Sequence, residues 1–231
     1  MEKQFAGKKI LVAGGTGGLG RAVSLAFLEA GATVNVTYRS PEEFDALKSS
    51  AGDHVAHLKG QDVDVLDEQA LQAYVATLGR VDALINAVGG YSAGAPLWEM
   101  DAQALDKMLA LNLKTGYLLA RTVVPVMLKQ GHGAMVNVAA TAAFNHMASA
   151  AEYVASKAAA VAMFNSLAAD LKGSGVRANS ILPSIIDTAA NRQAMPDADH
   201  AKWPKPEEIA RVILFLCSDD AKLVHGAAIP V

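Results

Sequence analysis

Lys9-Ile10-Leu11-Val12-Ala13-Gly14-Gly15-Thr16-Gly17-Gly18-Leu19-Gly20-Arg21-Ala22-Val23-Ser24-Leu25-Ala26-Phe27-Leu28 is the stretch that decides the fold. A short apolar run stops in a glycine-rich turn and then resumes with helical spacing, which reads as strand, turn and helix. Glycine in such a turn also answers a purely steric need. Its place after the very first strand adds the second meaning: backbone N–H groups at a helix start, brought close enough to cradle a pyrophosphate.

The same alternation continues outward. Strands are expected near 32–37, 54–58, 81–86, 133–139, 176–182 and 227–231. Helices are expected from Pro41, from Asp67, from about Asp101 to Gln130, from Glu152 to Leu171, and from Pro206 to Ser218. Seven strands separated by helices predict one α/β domain over 1–231, a Rossmann-type doubly wound seven-stranded parallel sheet with helices on both faces. The segment 188–206, with its proline-rich part from Pro196 to Pro206, would lie over the carboxyl edge of that sheet and is a candidate substrate lid.

Composition narrows the function. The chain has 231 residues, 52% hydrophobic and 19% charged, which excludes a disordered or low-complexity protein. A net charge of −3 without a basic run speaks against nucleic acid and anionic membranes, so the expected partner is a small-molecule substrate. Cys217 is the only cysteine, which leaves no intrachain disulfide or thiolate cluster and fits a reducing, cytoplasmic setting. The opening Met1-Glu2-Lys3-Gln4-Phe5 is not read as a signal peptide, and no apolar run approaches the roughly 20 residues that span a bilayer.

The histidines at 54, 57, 132, 146, 200 and 225 form no HExxH pattern and match no carboxylate cluster, so no catalytic metal is expected. His54 and His57 bracket a predicted strand, and His146 falls between Ala140 and Tyr153, beside the expected pocket. Trp203 on the lid suits either stacking on a flat ring or anchoring the loop.

Tyr153 and Lys157 stand four residues apart, one turn apart on one helical face. An ammonium near a phenol favours phenolate and is expected to lower the Tyr153 pKa toward working pH.

Gly14-x-x-x-Gly18-x-Gly20 resembles the Thr-Gly-x-x-x-Gly-x-Gly pattern of the short-chain dehydrogenase/reductase family, with Ala13 in place of the threonine. Asp64-Val65, Asn86-Ala87-Val88-Gly89, Asn112, Tyr153-x-x-x-Lys157 and Pro183-x-x-x-x-Thr188 follow in the family's order. The resemblance implies an NAD(P)-dependent oxidoreductase. Cofactor contacts are implied at Gly14, Thr16, Gly18, Leu19, Gly20, Asp64, Val65, Asn86, Ala87, Gly89, Pro183, Ile186 and Thr188, and at Tyr153 and Lys157. It also implies that Tyr153 is the general acid in reduction, that Lys157 tunes it and holds the nicotinamide ribose, and that Asn112 kinks its helix and serves a proton relay.

At the end of the second strand an NAD enzyme needs an acid for the ribose 2′-hydroxyl. Here Tyr38 holds that position, and Arg39 with Ser40 suits a 2′-phosphate, so NADP is the expected cofactor, with NADPH preferred. The family's serine, thirteen residues before the tyrosine, is Ala140. Either neighbouring Thr141 substitutes, or the substrate needs no such bond, or catalysis is lost.

The chain is also similar to a quinonoid dihydropteridine reductase-like subgroup, which has alanine at that position. Val88-Gly89-Gly90-Tyr91 and the stretch from Asp187 through Pro196 to Trp203 carry this likeness, although the subgroup's acid is Tyr38 here. A quinonoid pterin is electron-poor and needs less polarisation than a ketone. The resemblance thus implies hydride transfer to a small carbonyl or quinonoid, dihydropteridine-like substrate. A 3-oxoacyl thioester or ketone reductase is the alternative, and a non-catalytic NADP-binding sensor or scaffold the alternative of another class. Alanines crowd 154–169 and recur over 101–120, helices that in the family also face another subunit, so a homotetramer or homodimer is expected.

Overall fold

Along β1 (Lys9–Ala13) the side chains alternate between two cores: Ile10 and Val12 enter one, Leu11 and Ala13 the other, and all four are buried. A strand apolar on both faces is the mark of a central strand in a covered parallel sheet. The computed structural model describes residues 3–231; Met1 and Glu2, which open the segment read for a leader, lie outside them.

Around β1 stand β2 (Thr33–Tyr38), β3 (Leu58–Asp62), β4 (Ala83–Asn86), β5 (Gly133–Val138), β6 (Val176–Leu182) and β7 (Ala228–Pro230). The order is β3-β2-β1-β4-β5-β6-β7 with every pair parallel. The chain reverses direction across the sheet between β1 and β4, which opens a crevice at their carboxyl ends.

On one face α1 (Gly18–Glu29) packs beside α8 (Pro206–Cys217) over Phe27, Val34, Ile85 and Ile213. On the other, α3 (Glu68–Leu78), α5 (Thr115–Gln130) and α6 (Ala151–Asp170) cover Leu84, Met135 and Phe164. Phe27 and Phe164 are fully buried on opposite faces, and truncating either to alanine costs about 3–5 kcal/mol.

Local chemistry sets the helix starts. Ser40 caps α2 (Pro41–Ala51) by accepting from Glu43 N at 3.2 Å, with Pro41 in the first turn. Asp67 caps α3, and Asp101 caps α4 (Ala102–Leu109). The cap of α1, Gly17, offers no side-chain acceptor, so the leading N–H groups of this helix face the crevice uncapped by any side chain. Between α4 and α5 the residues Ala110–Lys114 form a π turn.

One strand differs from expectation. Residues 54–57 lie in a 3-10 turn, Gly52–His57, and the strand follows at Leu58–Asp62. β3 is an edge strand in which only Leu58 is buried, so its Lys59, Gln61 and Asp62 carry no apolar signal. His54 and His57 therefore bracket no strand. Among the described residues no helix is long and apolar enough to cross a membrane, and no group of three or more His, Cys, Asp or Glu is placed to hold a metal.

Candidate active site

The glycine turn is pressed against the loop that leaves β4. Gly14 has a left-handed φ of +71°, and a Cβ there would stand 3.2 Å from Val88 N. A Cβ on Gly20 would overlap the Gly14 carbonyl oxygen, so only glycine lets α1 begin this close to β1. Gly18 meets the far side of the crevice, since a Cβ there would lie 2.9 Å from the Thr188 methyl. Leu19 is buried beneath the turn, and Thr16 donates its hydroxyl to Glu43 at 2.8 Å.

At the end of β2 the structure gives Arg39 and Ser40 carboxylate partners. Arg39 pairs with Asp64 at 2.8 Å, and Ser40 donates to Glu42 at 2.7 Å while capping α2. The expected open cation and hydroxyl are thus already engaged, because parallel neighbours β2 and β3 bring Arg39 beside Asp64. The pair is exposed, 71% and 44% for the two side chains, so it is worth about 0–1 kcal/mol and gives way readily to a stronger anion. Val65 turns away into the core beside Leu11 and Leu71. Asn86 ties β4 to β5 through Asn137 at 2.9 Å and accepts from Val88 N at 3.3 Å; Ala87 N donates to Ala13 O at 3.0 Å.

Tyr153 and Lys157 occupy successive turns at the start of α6, at the carboxyl edge of the sheet. The Lys157 ammonium lies 6.0 Å from the Tyr153 ring centroid and 6% of the residue is exposed. It donates one hydrogen bond, to Val138 O at 3.2 Å, out of three N–H donors. A buried ammonium with donors to spare, beside the Gly89 backbone, fits a polyhydroxyl ligand such as a ribose. Together with the uncapped start of α1, this makes the crevice suited to a dinucleotide. Burial pushes the Lys157 pKa down to about 8.

The tyrosine corrects the sequence reading. Burial, with a smaller contribution from Tyr91, pushes the Tyr153 phenol up to about 12 rather than down. Desolvation of the phenolate dominates, and the ammonium, 6.0 Å from the ring centroid, does not offset it.

Asn112, 3% exposed in the π turn, holds this corner together. Its Oδ1 accepts from Gly90 N at 2.9 Å and its Nδ2 donates to Gly90 O at 3.0 Å. Nδ2 also donates to Ser156 Oγ at 2.9 Å, and Ser156 in turn donates to Tyr153 O at 2.8 Å. One side chain therefore fixes both the loop after β4 and the first turn of α6. Ser156 was hidden in the sequence as an unmarked position between Tyr153 and Lys157.

Ala140 is buried and extended at the end of β5, and Thr141 begins a 3-10 turn with its N–H donated to Pro183 O at 3.0 Å. Tyr91 stands edge-on to Tyr153, with ring centroids 4.9 Å apart and planes at 75°. The loop carrying it is pinned again where Gly94 N donates to Ser149 O at 2.9 Å. Ser149, at φ 56°, is the one non-glycine with positive φ among the described residues. Ile186 O accepts from Thr188 N and Asn191 Nδ2, each at 2.8 Å, and Thr188 caps α7 (Ala189–Ala194). Trp203 packs on His200 with centroids 4.5 Å apart, within the 188–206 segment.

The short chain dehydrogenase family profile matches residues 8–199. The chain is 32% identical to the 3-oxoacyl-[acyl-carrier-protein] reductase of Thermotoga maritima, covering 97% of this chain and 96% of that one. It is 35% identical to the D-threitol dehydrogenase of Mycolicibacterium smegmatis, covering 96% and 90%. The crystal structure of a levodione reductase superposes with a TM-score of 0.90 at 27% identity, covering 98% and 96%. The chain belongs to the short-chain dehydrogenase/reductase family of NAD(P)-dependent oxidoreductases.

Proposed function

We propose that the protein is an NADPH-dependent reductase of a small carbonyl or quinonoid, dihydropteridine-like substrate, with Tyr153 as proton donor. The observation that carries this reading is the pair at the start of α6: a phenol held protonated by burial, one turn from a buried ammonium with donors to spare. Bound NADPH would supply the hydride. Lys157 would hold the nicotinamide ribose, the uncapped start of α1 the pyrophosphate, and Arg39, released from Asp64, the 2′-phosphate. A phenol held protonated at neutral pH has a proton to give in the reducing direction.

The surroundings favour a free, uncharged substrate over a thioester borne on an acidic or phosphorylated arm. The loops 88–101 and 139–150 expose Tyr91, Trp98, Phe144 and Met147 and contain neither lysine nor arginine. The segment 188–206 is the proposed lid, since Thr188 already touches the glycine turn. A homodimer or homotetramer is proposed on the outer face of α4 to α6, where Leu109, Ala110, Leu113, Tyr117, Ala159 and Met163, together with Asp106 and Lys114, line a largely apolar trough.

NADPH and NADH oxidation with quinonoid dihydropterin, an acetoacetyl thioester and simple ketones tests the reading. Turnover of the pterin or a ketone with NADPH preferred, reduced about 10²–10⁴-fold by Tyr153→Phe, is expected. Equal use of NADH would sink the cofactor assignment. Tight NADPH binding without any turnover would favour a sensor.

A further inference from the structure

We propose that the Tyr91 hydroxyl is the second hydrogen-bond donor to the substrate's acceptor atom, doing at a distance in sequence what Ala140 cannot do. The inference rests on the assignment of Tyr153 as proton donor and adds a partner to it.

Three observations converge. First, the Tyr91 and Tyr153 rings meet edge to face with centroids 4.9 Å apart, and Tyr91 is 63% exposed, so a residue in contact with the proton donor still has surface open to a ligand. Second, Tyr91 is held in place although it lies on a loop. Asn112 clamps both backbone groups of Gly90, the residue before it, and Gly94 N is tied to Ser149 O three residues after it. Asn112 also reaches the Tyr153 backbone through Ser156, so the two tyrosines are referenced to one buried amide. Third, Ala140, just beyond β5, carries no hydroxyl. Donors fixed before reaction stabilise charge developing on the acceptor atom without reorganisation.

The step balances simply. Bound NADPH would supply the hydride and become NADP+. The hydride adds to the electron-poor atom of the acceptor double bond, the carbon of a carbonyl or a ring atom of a quinonoid pterin's conjugated system, while the Tyr153 O–H bond breaks and its proton goes to the oxygen or nitrogen that takes up the electron pair. Tyr91 donates a hydrogen bond throughout and loses no proton.

Tyr91→Phe preserves the ring contact and removes only the hydroxyl. Pre-steady-state reduction of quinonoid dihydropterin, and of whichever ketone the wild type turns over, is expected to slow about 10- to 100-fold, with NADPH affinity unchanged. Ala140→Ser should restore most of that loss in the Tyr91→Phe background and change wild type by less than about threefold. Unchanged rates in Tyr91→Phe, or equal gains from Ala140→Ser in both backgrounds, would each overturn the proposal. If Tyr153→Phe leaves turnover intact, the assignment of the proton donor fails instead.

Discussion

Replacing Lys157 by methionine should strengthen the fold while it removes activity. The ammonium is buried and its pKa falls from 10.5 to about 8, so the folded chain binds this proton less tightly than the unfolded chain does. Below about pH 8 both states are protonated and the folded state carries the full desolvation penalty. Between about 8 and 10.5 the unfolded chain retains a proton that the folded chain has released, so stability rises with pH across that window. At 1.36 kcal/mol per unit the penalty at neutral pH is about 3 kcal/mol. Methionine has similar volume and no charge; loss of the bond to Val138 O returns about 1 kcal/mol, leaving a gain of about 2. For a chain of this length that raises Tm by about 4–8 °C. Urea unfolding of both proteins without nucleotide, at one concentration and at pH 7 and pH 10, gives the comparison. The gain should be present at pH 7 and shrink toward zero at pH 10. A variant less stable than wild type at pH 7, or a gain of equal size at both pH values, would refute the account of a lysine held at the expense of stability.

Asn112→Ala removes three bonds that join Gly90 to Ser156, and should lower stability by about 2–3 kcal/mol in urea melts while slowing reduction; a change under about 0.5 kcal/mol would show that the clamp is not needed. Gly20→Ala forces its methyl onto the Gly14 carbonyl, so NADPH affinity measured by fluorescence titration should drop more than about tenfold, and unchanged binding would contradict the close approach of α1 to β1. Because burial holds the Tyr153 phenol near 12 and brings Lys157 down to about 8, reduction should be flat from about pH 5 to 7 and decline only as the ammonium is lost above about 8, with no phenol ionisation in that range; a decline centred below pH 7 would contradict this. Met163→Glu places a charge in the apolar trough and should convert the wild-type oligomer to monomer in sedimentation; a wild type that is already monomeric would remove the basis for that interface.

What could be read in advance follows from how far each signal travels along the chain. β1, α1 and β6 declare themselves in short windows, because a buried central strand is a continuous apolar run and a glycine turn is local chemistry. β3 does not, since an edge strand with one buried residue leaves the apolar signal to its neighbours, and the reading slid back onto Val55 and Leu58. Tyr153 and Lys157 were legible as a spaced pair, but the sense of the phenol's shift depends on burial, a property of the assembled fold. Tyr91 lies 62 residues before Tyr153, and the backbone on both sides of their ring contact is held by Asn112, whose π turn no periodicity announces. The pairing of Arg39 with Asp64 is invisible in a local window, because Asp64 follows β3 and reaches Arg39 only once β2 and β3 lie side by side.

The π turn of Ala110–Lys114 also sets a limit on how this region can change length. Such a turn amounts to one residue more than an unbroken α-helix would use. The wide turn absorbs that residue locally, so deleting one there would leave an unbroken α-helix with α4 and α5 facing much as before. What would go is the bulge itself, and with it the position from which Asn112 reaches Gly90 and Ser156. A one-residue loss that spares both helices would thus unseat a side chain that joins the loop after β4 to α6.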